Sequence, residues 1–218
     1  MSDSDDDMPQ LSAETLTALQ EFYSEQEMKQ KQIVAMQSGE IVEGIGIIDE
    51  DWQLSQFWYD EETATSLAHE ALRVAGNSGR IACLSSPTLY QKLRELKPAT
   101  CTAVLFEYDR RFEIYSTDFV FYDYKSPLEF PDSIEFQSFD IVIADPPFLS
   151  EECLKKTAET VKFLTKDKVI LCTGAVMEEV ASEVLGVHLC EFKPKHTRNL
   201  ANEFRCFANY QTGLENTT

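Results

Sequence analysis

The amino-acid sequence predicts a doubly wound α/β domain with a seven-stranded, mostly parallel sheet and an N-terminal helical extension. Three observations lead there. From residue 80 onward, strand-like apolar runs alternate with stretches of helical period, the pattern of βα units with helices on both faces of one sheet. Ile141, Val142, Ile143 and Ala144 form a continuous apolar run, as a strand covered on both sides requires. No internal repeat or low-complexity linker divides this part of the chain, and 218 residues suffice for one substantial domain with a short extension.

Each element has a local reason. "MSDSDDD" packs four aspartates into seven residues, so residues 1–10 are expected to be a disordered acidic tail. Residues 11–59 form the expected extension. Its helix is signalled by "LSAETLTALQEFYSEQEMKQKQ", where Ser12 can cap, Leu11 and Leu16 are spaced as a hydrophobic staple, and the later turns are almost wholly polar. The α/β domain is expected over residues 60–214. It opens on a helix capped by Asp60, with Ala64, Leu67, Ala68, Ala71, Leu72 and Ala75 on one apolar face and Gly76 as its stop. Strands follow at "IACLS", "AVLFE", "FVFY", "DIVIA", "KVILCT", "VHLCEF" and "FRCFANY". Helices fall between them at "PTLYQKLREL", "SEECLKKTAETVKFL" and "AVMEEVASEVL". Pro87 suits a first helical turn after Ser86, and Ser150 can cap the helix behind the fourth strand. The last two strands are joined by "KPKHTRNLANE", polar and without period, so a hairpin with one antiparallel edge strand is expected.

Composition narrows the partners. The formal charge is −19, of which the acidic tail supplies four, leaving 15 negatives on the remainder. Such a surface repels phosphate backbones and favours a basic protein partner. The six cysteines lie at least sixteen residues apart, with no C-x-x-C pair or Cys/His cluster, which argues against a zinc site. Cys83, Cys172 and Cys190 fall inside apolar strands, where a free thiol packs as a small hydrophobe, as suits a reducing compartment. With no signal-peptide pattern and no apolar run approaching 18 residues, the expected protein is soluble, monomeric and cytoplasmic, without a membrane partner. Composition does not separate cytosol from nucleus.

In doubly wound sheets ligands bind at the carboxyl ends of strands, beside the point where strand order reverses. Asp145 stands at that end of the fourth strand. Pro146 and Pro147 fix φ at two successive residues and remove two donors, leaving their carbonyls rigidly aimed. Phe148 adds a flat apolar face. One carboxylate, one oriented carbonyl and one aromatic wall make a receptor for an amine. The bland alternative is a proline-stiffened strand-to-helix turn whose acid caps the helix.

Asp/Asn-Pro-Pro-aromatic after the fourth strand is the signature of S-adenosylmethionine-dependent methyltransferases acting on amino nitrogens. Together, "DWQLSQFWYDEETATSLAHEAL", "LFEYDRRF", "FVFYDYKSP", "FDIVIADPPFLSEE" and "NEFRCFANY" resemble the eukaryotic translation elongation factor 1-alpha lysine methyltransferases. That family was once labelled as N6-adenine DNA methyltransferases because of the same D-P-P-F. The likeness spans roughly residues 10 to 214. It implies a Rossmann-like class I fold, S-adenosyl-L-methionine as methyl donor, a lysine of elongation factor 1-alpha as acceptor, and no nucleic-acid partner.

The resemblance also implies roles. Asp145, Pro146, Pro147 and Phe148 become the catalytic set, with Asp145 capturing and orienting the amine rather than acting as a strong base. Glu107, closing the second strand, would hold the ribose hydroxyls, with Asp109 the near alternative. Asp123 and Tyr124 would meet adenine, unless they form only an Asx-type turn. The glycine-rich turn expected after the first strand is missing: the chain reads "CLSSPTLY", so Ser85 and Ser86 would supply hydroxyl and amide contacts. Gly44-x-Gly46 has no helix signal behind it and is no substitute. The later part of residues 11–59 would cover the cofactor through Ser55, Gln56 and Tyr59, although Phe57 and Trp58 there can equally be core. Two competing functions stand beside this one. An N6-adenine methyltransferase would use the same four residues on a flipped base, helped by Lys193, Lys195, His196 and Arg198. An inactive adaptor would explain the missing glycines.

Overall fold

A computed structural model describes residues 48–198, 200 and 202–214. The acidic tail and the helix expected at residues 11–32 lie outside them. Helix α1 spans Glu61–Ala75. Asp60 caps it, accepting at Oδ1 from the Thr63 N–H at 2.8 Å. Gly76 ends it at φ 69° and ψ −167°, its N–H reaching the Leu72 carbonyl. Strand β1 (Arg80–Leu84), helix α2 (Pro87–Leu96), β2 (Thr102–Glu107) and β3 (Phe119–Phe121) follow, with a 3-10 segment, Arg110–Asp118, between the last two. Then come β4 (Phe139–Ala144), α3 (Glu151–Leu164), β5 (Thr165–Gly174), α4 (Glu178–Leu185), β6 (His188–Leu189) and β7 (Phe204–Ala208).

The seven strands form one sheet in the order β3-β2-β1-β4-β5-β7-β6. The first five in that order run parallel, and β7 is antiparallel to both β5 and β6. The antiparallel strand is therefore not at the edge, as the hairpin alone had suggested. It is inserted beside β5, and β6 forms the rim with only two residues. In the longer run "VHLCEF" the pairing reaches Cys190, whose N–H bonds the Cys206 carbonyl at 2.9 Å, before the chain leaves the sheet. Residues 195–197 find their backbone partners in residues 58–60 instead.

Burial on two sides explains the unalternating strands. Ala82, Leu84, Val104, Phe106, Val142 and Ala144 join Leu154, Val161 and Leu164 of α3 and Ala181 of α4 in one core. Ile81, Cys83, Ala103, Leu105, Ile141 and Ile143 alternate with them and are also buried. Helix α1 packs against β1 and β4, and against α2. Among the described residues no helix is long and apolar enough to cross a membrane.

Two substitutions test how α1 is bounded. Asp60→Ala removes the cap and should lower stability by about 1 kcal/mol. Gly76→Ala meets no atom within 4 Å, so any loss comes from its backbone angles alone and should be about 1–3 kcal/mol. Urea denaturation of both variants measures this, and an unchanged midpoint for Gly76→Ala would contradict the strained conformation.

Candidate active site

Strand order reverses between β1 and β4, and the carboxyl ends of both open onto a cleft of about 1060 Å³. Asp145 follows β4 at this point, its N–H bonded to the Leu84 carbonyl at 2.9 Å. It is partly exposed, while Pro146 is buried and Phe148 is 43% exposed. Asp145, Pro146, Pro147 and Phe148 all line the cleft. The Phe148 ring meets Tyr124 edge-on at 5.7 Å. Asp145 does not cap α3. Ser150 does, accepting from the Cys153 N–H at 3.3 Å. The acid is thus left to the cleft, which removes the capping-turn alternative.

Burial pushes the Asp145 carboxyl up to about 7; the nearby Tyr59 hydroxyl opposes this and the charge of Glu107 adds to it. Glu107 closes β2 and is buried, also pushed up to about 7, by burial first and the nearby Asp109 charge second. Its Oε1 accepts from the Tyr108 and Asp109 N–H groups at 3.0 and 3.1 Å, so Oε2 carries neither backbone bond.

Asp109 is one layer back and does not line the cleft. It caps the 3-10 segment through the Arg111 N–H at 2.9 Å, pairs with the Arg111 guanidinium at 2.6 Å, and accepts from Gln56 Nε2 at 2.9 Å. Burial would raise its pKa, but Arg111 and Gln56 hold it below the usual carboxylate range. Its carboxylate is occupied by the fold, and Glu107 alone of the two faces the cleft.

The remaining predicted residues divide by what their side chains touch. Asp123 and Tyr124 both line the cleft. Asp123 Oδ1 also accepts from the Lys125 N–H at 2.9 Å, so the Asx turn is present as well. Ser85 has φ 53°, a left-handed conformation that a glycine adopts freely and a serine does not. The missing glycine turn is thus replaced by a strained serine whose N–H bonds the Phe106 carbonyl at 2.8 Å. Ser86 also lines the cleft, although it is buried and its Oγ lies 3.4 Å from the Ile143 carbonyl. The first turn of α2, with Pro87 and Thr88, opens onto the cleft beside it.

Residues 49–59 belong to the same compact unit as the sheet and form one wall of the cleft. Ser55 has φ 56°, a second left-handed serine lining it. Gln56 anchors this strap through Asp109, the Arg111 guanidinium and the Asp51 N–H. Phe57 is 37% exposed and is not core; Trp58 meets Phe112 edge-on at 6.2 Å. Tyr59 is buried and bridges to His196. His196, Arg198, Leu200, Asn202 and Phe204 complete the wall; from sequence His196 and Arg198 stood out only as part of a basic patch for the adenine alternative, and the other three not as part of the site. The one available signal was the length of "KPKHTRNLANE", since long structureless loops in compact domains usually carry function. Its cations are paired: Lys193 with Glu203 at 4.0 Å, Lys195 with Glu62 at 3.6 Å and Arg198 with Glu50 at 3.1 Å. Among the described residues no three His, Cys, Asp or Glu side chains are placed to hold a metal ion.

Two carboxyls pushed up to about 7 give a signed expectation. Their folded pKa values lie above the ordinary 3.8 and 4.5, so the folded state binds more protons than the unfolded one across that interval. Stability should therefore fall as pH rises through 7. His196, lowered from 6.5 to about 4 by burial, acts in the opposite sense below 6.5. Comparing wild type with Asp145→Asn removes such background. The variant should be the more stable by roughly 2–4 kcal/mol at pH 8, with the difference shrinking toward pH 5. Denaturant titrations at several pH values check this, and a pH-independent difference would contradict the raised pKa.

The family described as "Probable N6-adenine methyltransferase" matches residues 50–212. The Gallus gallus protein named EEF1A lysine methyltransferase 1 is 59% identical over 215 residues, covering 99% of this chain and 100% of that one. The Homo sapiens protein of the same name is 59% identical over 217 residues, covering 99% of each. A solved structure of an inferred RNA methyltransferase from Pyrococcus horikoshii superposes with a TM-score of 0.50 at 17% identity, over 83% of this chain and 94% of that one, a likeness of fold alone. With relatives of that identity over nearly its whole length, the chain belongs to the EEF1A lysine methyltransferase 1 family.

Proposed function

We propose that the chain is a protein-lysine N-methyltransferase that transfers a methyl group from S-adenosyl-L-methionine to a lysine of translation elongation factor 1-alpha. The observation that carries this is the convergence of Asp145, Pro146 and Phe148 with Glu107 in one cleft. At about 1060 Å³ the cleft is at the upper end of the roughly 300–1000 Å³ of small-molecule sites.

The residues present fit the cofactor. Glu107 offers a buried carboxylate suited to two ribose hydroxyls, and Asp123 with Tyr124 offers an edge and a face for adenine. The N-terminus of α2 suits the methionine carboxylate, and the left-handed backbone at Ser85 does the work of a glycine there. When bound, the cofactor supplies a methyl group activated by a sulfonium.

Asp145 and its neighbours prepare the acceptor. Making a free lysine neutral at pH 7.4 costs roughly 4 kcal/mol, from a pKa of about 10.4. Passing its proton to an ordinary carboxylate is uphill by about 9 kcal/mol, but by only about 5 when the acceptor's pKa is about 7. Burial narrows that gap in the empty site, but a captured ammonium lowers the Asp145 pKa again, so its role stays the capture and orientation expected from sequence. Capture comes first, because an ammonium beside the carboxylate ionises it. The Pro146 carbonyl takes a further N–H and fixes the direction of the nitrogen lone pair. Phe148 lines the lysine stem and faces its charge.

The adenine alternative depends on a basic strip, and Lys193, Lys195 and Arg198 are each paired with a carboxylate. The acidic surface points the same way, toward a basic protein and away from nucleic acid. A translation factor as substrate also calls for the cytoplasm, and nothing in the cleft requires a second copy of the chain.

Glu107→Ala should weaken S-adenosylmethionine binding by about 1.5–3 kcal/mol, while Asp109→Ala should chiefly lower folding stability. Calorimetry with the reverse ranking would return the ribose to Asp109. The function itself is tested by offering elongation factor 1-alpha, single-stranded DNA and duplex DNA side by side with methyl-labelled cofactor. Label is expected on protein lysine only, and Asp145→Ala should abolish it while binding cofactor normally. Label on adenine and none on protein would overturn the proposal.

A further inference from the structure

Tyr59 is held more firmly than a cleft-covering residue needs to be. On one side of it the Thr197 N–H bonds the Trp58 carbonyl at 2.9 Å; on the other the Asp60 N–H bonds the Lys195 carbonyl at 3.0 Å. Its own backbone bridges to His196, and the two rings pack at 5.2 Å. His196 is backed in turn by the Phe204 ring at 4.8 Å. Burial pushes the imidazole down to about 4, so this support is uncharged at neutral pH. The phenol ring is clamped between the strap and the loop before β7.

Its hydroxyl is left without a partner. Tyr59 is 2% exposed, and Oη makes no hydrogen bond of normal geometry. A buried hydroxyl in that condition destabilises the fold, and a native protein keeps one for a reason. The polar groups whose charge it senses are Asp145 and the Cys172 thiol. Burial first, and Asp145 second, push the phenol well above its ordinary pKa, so it keeps its proton and remains a donor. Asp145 meanwhile faces Glu107 from β2, Tyr59 from the strap, and Cys172 of β5 lies beside Tyr59.

We propose that Tyr59 is a positioning residue: its hydroxyl donates to one oxygen of Asp145 once that carboxylate ionises, leaving the other oxygen to accept an N–H of the target amine. The role rests on the lysine methyltransferase proposal for its chemistry, but its physical basis lies in the resting protein. A carboxylate of two equivalent oxygens can rotate and meet an incoming nitrogen at many angles. With one oxygen tied to a fixed phenol, the second has a single direction. Orientation of this kind acts on kcat more than on cofactor affinity. The same bond favours the ionised form of Asp145, so removing it should raise the carboxyl pKa further.

Tyr59→Phe keeps the ring on His196 and deletes only an unpartnered hydroxyl, so the variant should be at least as stable as wild type. S-adenosylmethionine affinity should stay within about twofold, while kcat toward elongation factor 1-alpha falls about tenfold or more. The carbon-13 resonance of the Asp145 carboxyl, followed in the resting protein, should titrate about one pH unit higher than in wild type. Cys172→Ala should leave that titration where it was. An unchanged Asp145 midpoint in Tyr59→Phe overturns the inference whatever the substrate proves to be. So does a cofactor affinity weakened tenfold with kcat intact, which would make Tyr59 part of the cofactor wall. Failure of the wild type to label any protein lysine would instead overturn the proposed function, with the titration still deciding the role of Tyr59.

Discussion

The cleft depends on one backbone pairing made outside the sheet. Residues 58–60 and 195–197 meet as a short antiparallel rung, joined by the Thr197 N–H to the Trp58 carbonyl and the Asp60 N–H to the Lys195 carbonyl. Side chains reinforce it: Glu50 Oε1 accepts from the Trp58 N–H at 2.8 Å, and Thr63 Oγ1 accepts from the Lys195 N–H at 2.9 Å. A doubly wound sheet by itself offers only a shallow crevice at its carboxyl edge. Closing the strap against the loop gives that crevice a wall, and places Tyr59 near Asp145 with His196 packed on its ring.

Inside the wall, the electrostatics run against the stability of the unliganded protein. Asp145, half-buried, and Glu107, buried, are both pushed up to about 7 by burial, and the charge of Glu107 adds to the shift at Asp145. A ligand carrying positive charge relieves this repulsion on arrival, so the site gains from the cationic groups its chemistry brings together. Two left-handed serines, Ser55 and Ser85, add backbone strain on the same cleft. Strain and buried charge collected at one place are the usual mark of a site shaped for function rather than for folding.

Much of this was legible in the sequence, and the failures have identifiable causes. Asp145 through Phe148 and the βα alternation could be read because each depends on neighbours in the chain: an apolar run, two stiff prolines, a capping serine. Glu107 and Asp109 could not be separated, since two acids two residues apart at a strand end differ only in what reaches them from elsewhere. Gln56 and Arg111 made that decision. Ser85 was read as a missing glycine because the left-handed conformation is a property of the fold and leaves no mark on the residue type. The position of β7 inside the sheet was equally hidden, as a hairpin fixes which strands pair and not where the pair inserts.

The short rim strands have a consequence beyond the cleft. The sheet ends in β3, with three residues, on one side and β6, with two, on the other. An exposed sheet edge invites a strand from another molecule, and the invitation grows with the length of unpaired backbone it presents. Here neither border is long enough to template a ladder. A chain that crowds buried acids and strained serines into its working cleft is thereby shielded from edge-to-edge aggregation, independently of the charge on its surface.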